Sequence, residues 1–298
     1  MPELPEVESN LRNLRRWMTD RTIVEVSPPP GIRETGGVKA EDFVALLAGK
    51  RVVALERRGK WILLSLSDGV GLGLHLGMTG RLAMVASGAG EPRFTRAVFR
   101  LDDGSRVCFV DSRRFGKLIA AARLDDLVEA EEISKLGPDP LSGGIDTSLR
   151  SACQRTSRSI KEVIMDQRVI AGVGNLYATE ALWHARIHPS TSASEVAKDS
   201  KIIAKLVDGI RTALEHGLSV YAHENVPQYL EEGAPNVFNA YDRAGQPCPR
   251  CETPIASMVL GGRTTAYCPT CQREKKGGRT RLPVPKEPSQ NNLNKCRR

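Results

Sequence analysis

Four cysteines near the carboxyl end restrict the fold of this chain more than any other feature. Two C-x2-C pairs, separated by sixteen residues, are formed by Cys248, Cys251, Cys268 and Cys271. Each pair can supply two thiolates from one tight turn, which is typical of a tetrahedral zinc site, and a pair of redox disulfides is the alternative. Between the pairs, Ile255–Leu260 and Arg263–Tyr267 flank Gly261-Gly262 and predict a β-hairpin. We therefore expect one structural zinc ion in a ribbon whose hairpin presents Arg263 outward.

The charge of the chain is concentrated at its end. The 298 residues carry a net charge of +8, and 40% of them are hydrophobic, as in ordinary globular proteins. Residues 273–298 contain nine Lys or Arg and two Asp or Glu, a net of +7, which leaves +1 for residues 1–272. A basic surface on the body must therefore be local, and the tail is predicted to be disordered. Because no apolar run is long enough for a membrane span and no secretory signal is evident, we expect an intracellular protein with no membrane partner.

The first residues carry a possible nucleophile. If Met1 is removed, Pro2 offers a secondary amine with Glu3 beside it. An amine next to a carboxylic acid can cleave an N-glycosidic bond, because the amine attacks the sugar carbon while the acid manages protons. The alternative is structural: Pro2 and Pro5 stiffen the entry into a helix whose positive end favours glutamates.

Hydrophobic periodicity divides the chain into a β-rich half and a helical half. Helical spacing over Glu6–Met18 predicts an amphipathic helix that anchors the terminus. Short apolar runs predict antiparallel strands at Ile23–Val26, Val52–Leu55, Trp61–Leu66, Gly71–Leu76, Leu82–Val85, Ala97–Leu101 and Val107–Val110. Helices are predicted at Glu41–Leu47, Asp146–Cys153, Ser159–Asp166, Asn175–Ala185 and Ala193–His216.

These elements predict an α+β fold in successive units. An N-terminal β-sandwich with flanking helices is expected over residues 1–135, and a breaker-rich linker over 136–145. A helical domain is expected over 146–235, the zinc ribbon over 236–273 and the basic tail over 274–298.

A glycine-rich loop lies between two of the predicted helices. Gly172 and Gly174 would let the backbone approach a ligand closely, and Asn175 is a good N-cap. The free N–H groups of the following helix would then form an anion site suited to phosphate. A sharp structural turn is the alternative.

Taken in order, the motifs resemble those of bacterial formamidopyrimidine-DNA glycosylase. The resemblance is carried by residues 2–8, Arg57–Trp61, His75–Gly80, Asp111–Gly116, Met165–Gln167, Val173–Ala178 and the ribbon. It extends from Pro2 to about Arg273 and is specific because no single motif carries it. It implies that residues 146–235 are a helix-two-turns-helix DNA-binding domain, with a lesion-capping loop at Asn225–Pro235.

The resemblance also implies an activity. The protein would be a bifunctional enzyme of base excision repair that excises oxidised purines, chiefly 8-oxoguanine and formamidopyrimidines, from damaged double-stranded DNA and then cleaves the strand by β,δ-elimination. By position, Pro2 would form a Schiff base with C1′ of the damaged nucleotide, and Glu3 would be its acid/base partner. Lys60 would be the proton donor in β-elimination, and Arg263 would assist δ-elimination.

The remaining implied residues bind DNA. A flipped-out nucleotide leaves a hole in the stack, and the side chains that would fill it are Met78, Arg113 and Phe115. Lys161 and Asn175 would hold the DNA backbone. We expect the protein to act as a monomer.

Some positions depart from the family pattern, and two other functions compete with this one. Phe94-Thr95-Arg96 replaces a His-x-His segment, and Arg96 is a candidate for the missing phosphate contact; Ser112 stands where proline is common, and Asp242 where glycine is common. One rival is the sister type similar to endonuclease VIII, which prefers oxidised pyrimidines. The other is a noncatalytic DNA-binding protein, which would not need an N-terminal amine beside a carboxylate.

Overall fold

The computed structural model describes residues 2–29, 35, 38–222 and 236–274. The predicted loop at Asn225–Pro235 and the tail beyond Glu274 lie outside the described residues. The described chain forms an antiparallel β-sandwich, a helical module and a two-stranded ribbon, so the α+β fold is confirmed.

The strands of the sandwich are hydrogen-bonded in the order β5-β7-β6-β1-β2-β3-β4-β8. Their bounds are β1 Thr22–Ser27, β2 Lys50–Arg58, β3 Trp61–Leu66, β4 Gly71–His75, β5 Arg81–Val85, β6 Thr95–Leu101, β7 Arg106–Val110 and β8 Lys117–Ala121. The pairing of β1 with β2 has only two registered positions, which lets the two halves fold over one another. Leu64 and Leu72 of one half consequently share a core with Leu82 and Phe99 of the other.

The first helix, α1 (Leu4–Met18), belongs to both large cores. Its apolar stripe, predicted from the spacing, is buried inside the sandwich and consists of Val7, Leu11, Leu14 and Met18. Leu4, at the start of the same helix, packs instead in the core of the helical module. The helix therefore fixes the start of the chain between the two units.

The helical elements agree with the predictions in most places. They are α2 Ala40–Leu47, α3 Leu124–Glu129, α4 Glu131–Ser134, α5 Ile145–Gln154, α6 Ile160–Ile164, α7 Asn175–Ala185, α8 Ala193–Ala197 and α9 Ser200–Val220. The prediction of one helix over Ala193–His216 is wrong. Asp199 is an N-cap whose side chain accepts a hydrogen bond from Lys201 N at 2.8 Å, so a new helix begins there.

The ribbon consists of β9 (Ala256–Leu260) and β10 (Arg263–Tyr267) joined by Gly261-Gly262. Both glycines have positive φ, 54° and 72°, as a type I′ turn requires, which confirms the predicted hairpin. Among the described residues, none of the helices is both long enough and apolar enough to cross a lipid bilayer.

Candidate active site

The start of the chain docks on the loop that precedes α7. Leu4 N donates to Gly172 O at 3.1 Å, and Glu3 is 1% exposed. The Glu3 carboxylate accepts three backbone N–H groups at the first turn of α7, from Gly174 at 2.6 Å, Leu176 at 2.9 Å and Tyr177 at 3.2 Å. A negative group at this position interacts favourably with the helix dipole. Glu3 is therefore held rigidly, although it lies 171 positions before Gly174 in the sequence.

This contact corrects the sequence interpretation of the glycine-rich loop. The predicted phosphate site at the α7 N-terminus holds the protein's own Glu3 carboxylate. Asn175 is not the N-cap either, because Gly174 occupies that position and Asn175 is the first helical residue. The close approach expected of the glycines does occur, but its partner is a catalytic candidate instead of a phosphate.

Lys60 lies in the turn between β2 and β3 and is 9% exposed. Burial lowers the pKa of its ammonium, and the positive charge of Arg263 adds to that effect. The carboxylates of Glu3 and Glu6 act in the opposite direction. A lysine with a lowered pKa gives up a proton more readily near neutral pH, as a proton donor in elimination must.

Gly174 occupies the point where two of these side chains meet. A Cβ atom placed on Gly174 would lie 2.5 Å from Glu3 Oε1 and 2.6 Å from Lys60 Nζ. The Gly174 backbone is extended, with φ -132° and ψ -153°, so it does not need glycine for its conformation. The requirement for glycine comes from the closeness of the carboxylate and the ammonium.

We expect Gly174→Ala to lower the single-turnover rate of base excision about 100-fold, because its methyl group must displace Glu3 or Lys60 from the reactive geometry. DNA affinity should stay close to that of the wild type. The measurement is single-turnover excision together with a binding titration. Gly90→Ala is the matched control, since a Cβ atom at Gly90 meets no atom within 4 Å. Equal excision rates for the two variants would contradict the assignment of Glu3 and Lys60 to the active site.

Two further residues of the site were missed by the sequence analysis. Glu6 Oε2 accepts a hydrogen bond from Glu3 N at 2.8 Å, and Glu6 Oε1 accepts one from Tyr177 Oη at 2.8 Å. Both side chains are buried. The spacing of Glu3 and Glu6 is that of a capping box, a signal that could have indicated the first of these contacts.

His75 is a third missed residue beside Lys60. Burial, helped by the charges of Lys60 and Lys117, lowers the pKa of His75 to about 4, so the ring is neutral at pH 7. Its Nδ1 atom accepts from Gly77 N at 3.2 Å, which places the ring proton on Nε2.

The structure brings together the two residues expected to hold the DNA backbone. Lys161 Nζ donates to Asn175 Oδ1 at 2.6 Å and also to Thr265 Oγ1 of the hairpin. Asn175 Nδ2 donates to Thr264 O at 3.2 Å. Lys161 is 1% exposed, and burial lowers its pKa to about 7. The pair thus joins the first turn of α7 to the ribbon, and its contact with DNA remains a prediction.

The four cysteines converge as their spacing predicted. One sulfur from each lies within 4.8 Å of the others, and Cys251 Sγ is 3.4 Å from Cys268 Sγ and from Cys271 Sγ. Thiolates about 2.3 Å from a tetrahedral zinc ion require similar separations. The indole N–H of Trp183, in α7, donates to Cys248 Sγ at 3.4 Å, so the zinc site is fastened to the helical module.

Arg263 is exposed at the start of β10, as expected. Its charge is close enough to lower the pKa values of both Lys60 and Lys161. The hairpin therefore carries this guanidinium to the same region as the N-terminal residues.

The three residues expected to fill a vacated base position lie on adjacent loops. Phe115 is 45% exposed, and the Arg113 guanidinium lies 5.2 Å from the centre of its ring. Met78 is half-buried. Asp111, which the sequence analysis assigned no role, is fully buried and accepts from Thr79 Oγ1 at 2.5 Å and from Gly116 N at 2.8 Å. Asp111 consequently ties the two loops together.

The departures from the family pattern have defined conformations. Phe94 is exposed with φ 68°, and the Arg93 guanidinium lies 4.5 Å from the centre of its ring. Arg96 Nε donates to Asp111 O at 2.7 Å, so the strand geometry turns Arg96 toward the loop of Arg113. Asp242 has φ 56°, a conformation that glycine adopts easily and aspartate tolerates.

Comparison with known proteins follows the same three units. Residues 1–118 match the model of the formamidopyrimidine-DNA glycosylase N-terminal domain, residues 136–224 its H2TH domain, and residues 245–273 a zinc finger found in FPG and IleRS. A formamidopyrimidine-DNA glycosylase of Roseiflexus sp. (strain RS-1) is 42% identical over 280 residues, which cover 92% of this chain and 100% of the relative.

Solved structures agree with this assignment. The Fpg protein of Thermus thermophilus aligns with a TM-score of 0.78 at 34% identity, covering 92% of this chain and 100% of that one. A Lactococcus lactis FPG mutant in complex with Fapy-dG-containing DNA aligns with a TM-score of 0.81 at 26% identity, with the same coverage.

The fold and the site together define a DNA glycosylase of base excision repair, which rules out the noncatalytic alternative. The chain belongs to the formamidopyrimidine-DNA glycosylase family. It is a glycosylase with associated lyase activity at abasic sites, its partner is DNA, and its ribbon carries one structural zinc site.

Proposed function

We propose that this enzyme removes oxidised purines, chiefly 8-oxoguanine and formamidopyrimidines, from duplex DNA inside the cell and acts as a monomer. The names of its relatives and the lesion bound in the Lactococcus lactis complex support this substrate class. Met78, Arg113 and Phe115 support the oxidised-purine preference over that of the sister type.

The observation that carries the proposal is the arrangement around Gly174. Glu3 Oε1 and Lys60 Nζ both lie within 2.6 Å of the position of a Cβ atom on Gly174, and Pro2 is covalently attached to Glu3. Three backbone N–H groups fix the carboxylate. The proposed acid and the proposed proton donor thus lie close together, and the proposed nucleophile is the residue before the acid, which supports a joint role in the reaction.

The chemistry follows from these positions. Once Met1 is removed, the Pro2 nitrogen attacks C1′ of the damaged nucleotide, and the bond from C1′ to the base breaks as the base leaves with a proton. The bond between C1′ and the ring oxygen of the sugar then breaks to give the iminium, and Glu3 is proposed to supply the proton that the ring oxygen takes up. Loss of a proton from C2′ of the resulting iminium expels the 3′ phosphate in β-elimination, for which Lys60 is the proposed proton donor. Arg263 is proposed to stabilise the phosphate that leaves in δ-elimination.

The target base must first leave the duplex stack. Its unstacking and unpairing cost about a few kcal/mol. We propose that Met78 and Phe115 replace part of the lost stacking, while the Arg113 guanidinium hydrogen-bonds the unpaired opposite base. The half-exposed ring of Phe115 and the guanidinium beside it are available for this role. Lys161 and Asn175 are proposed to hold the DNA backbone where the first turn of α7 meets the hairpin.

Borohydride trapping tests the proposed function. The enzyme is incubated with an 8-oxoguanine·cytosine duplex, an oxidised-pyrimidine duplex and an undamaged duplex of the same sequence. We expect a covalent adduct with the first duplex, mapped by mass spectrometry to the Pro2 nitrogen of a chain that lacks Met1, because only an iminium can be reduced to a stable amine.

Two outcomes would contradict the proposal. Preferential adduct formation with the pyrimidine duplex would assign the protein to the sister substrate class. Adduct formation at a lysine instead of Pro2 would refute the assigned nucleophile.

A further inference from the structure

We propose that Tyr177 is a positioning residue for the nucleophile, acting from helix α7 through Glu6. This inference rests on the proposed role of Pro2. The Tyr177 hydroxyl contacts neither Pro2 nor Glu3 directly. Hydrogen bonds nevertheless connect Tyr177 to both residues.

The connection begins at the peptide bond that follows the nucleophile. Glu3 N belongs to the Pro2–Glu3 peptide group, and it donates to Glu6 Oε2 at 2.8 Å. Because a peptide group is planar and includes the preceding Cα, fixing this N–H direction also fixes the plane that contains the Pro2 Cα atom. Glu6 therefore controls the orientation of the residue that carries the attacking nitrogen.

Tyr177 in turn fixes Glu6. The Tyr177 hydroxyl donates to Glu6 Oε1 at 2.8 Å, and the Tyr177 backbone N–H donates to Glu3 Oε2 at 3.2 Å. A single residue of α7 thus holds the carboxylates on both sides of the N-terminal turn. Tyr177 is 1% exposed and Glu6 is 3% exposed, so water does not compete for these hydrogen bonds.

Helix α9 has a glycine, Gly217, where it meets the Tyr177 hydroxyl. A Cβ atom on Gly217 would lie 2.3 Å from Tyr177 Oη, so only glycine leaves room for it. The Phe238 ring packs edge-on against the Tyr177 ring, with 6.1 Å between the ring centres. Gly217 therefore leaves the space that the hydroxyl occupies when it donates to Glu6.

The charged surroundings of Glu6 give the proposal a measurable signature. Glu3 faces it from the start of α1, Lys60 from the β2–β3 turn and Tyr177 from α7. Burial raises the pKa of Glu6, the nearby Glu3 charge raises it further, and the hydrogen bond from Tyr177 lowers it. Removal of the hydroxyl must raise the pKa of Glu6 again. If ionised Glu6 supports the cation formed at Pro2, the acid limb of the rate profile then moves to higher pH.

Tyr177→Phe is the test, measured as single-turnover excision of 8-oxoguanine over a range of pH and as lyase activity on DNA with a preformed abasic site. We expect a rate lower by roughly 10- to 100-fold in both assays, little change in DNA affinity and an acid limb shifted upward, because the nucleophile is misoriented without loss of binding contacts. Tyr267→Phe is the matched control, since it removes the same hydroxyl from a half-buried tyrosine on β10.

A double-mutant cycle with Glu6→Gln separates positioning from general stability. If Tyr177 acts through Glu6, Tyr177→Phe should cost little more in the Glu6→Gln background, so the two effects will not add. Additive effects, or a lower Tm with an unchanged pH profile and rate, would overturn the inference. Absence of a borohydride adduct in the wild type would instead refute the proposed function. A wild-type adduct together with an unaffected Tyr177→Phe variant would refute only the role of Tyr177.

Discussion

Glu3→Gln should lower the rate of base excision by roughly 10²- to 10⁴-fold, the range that general acid–base catalysis contributes. The Glu3 carboxylate accepts three backbone N–H groups through both of its oxygens. An amide can accept through only one of these positions, so the variant loses both the proton-transferring group and part of its anchorage. A donor left without a partner in this buried place costs about 1–3 kcal/mol, and Tm should fall accordingly.

Two DNA substrates separate the effect of Glu3→Gln on base excision from its effect on strand cleavage. Excision of 8-oxoguanine requires departure of the base, whereas DNA with a preformed abasic site bypasses that step, so lyase activity should fall less than excision. DNA binding should be largely retained. Glu25→Gln is the control, because Glu25 is exposed on β1 and pairs with Arg100, which has no part in the proposed chemistry. Excision at the wild-type rate by Glu3→Gln would show that Glu3 is not the acid.

Cys251→Ser should release zinc and remove strand cleavage almost completely. A structural zinc site of this kind contributes on the order of 10–16 kcal/mol in isolated zinc-finger peptides, so its loss should unfold the ribbon. The hairpin carries Arg263 and places Thr265 against Lys161 Nζ. Unfolding would therefore remove the guanidinium that we propose binds phosphate, and it would expose a lysine that is now buried.

Zinc content and strand nicking are measured on the same preparations. Cys296→Ser is the control, because Cys296 belongs to neither of the two C-x2-C pairs. The core of the sandwich does not include the ribbon, so the main unfolding transition should persist in Cys251→Ser. A variant that binds no zinc but nicks DNA at the wild-type rate would show that the ribbon is dispensable.

Local patterns in the sequence predicted the elements but not the contacts between distant ones. The period of α1 and the two-glycine turn of the hairpin were predictable because each is decided within a few residues. Strand β8 was missed because its five residues depend on pairing with β4, more than forty positions earlier in the chain. The short helices α3 and α4 follow it and were missed as well.

In the candidate site as well, residue identities were predictable from the sequence, whereas contacts between distant residues were not. The identities of Pro2, Glu3, Lys60 and the cysteines followed from residue types and from the family resemblance. The docking of Glu3 on α7 did not, because it joins residues 171 positions apart and uses backbone N–H groups that every helix possesses. For the same reason the burial of Lys161 against Thr265 could not be read from its position on a helix.

Helix α1 packs in the cores of both the helical module and the sandwich, and this packing aligns Glu3 with α7. Its first turn packs in the helical module through Leu4, whereas the remainder packs in the sandwich, and Arg57 bridges Glu8 of the same helix to Asp139. The position of the acid against α7 is therefore set by non-covalent packing, to which Asp139 of the segment 136–145 contributes. A substitution on the face of α1 that meets both units should therefore disturb the acid even where the rest of the site is intact.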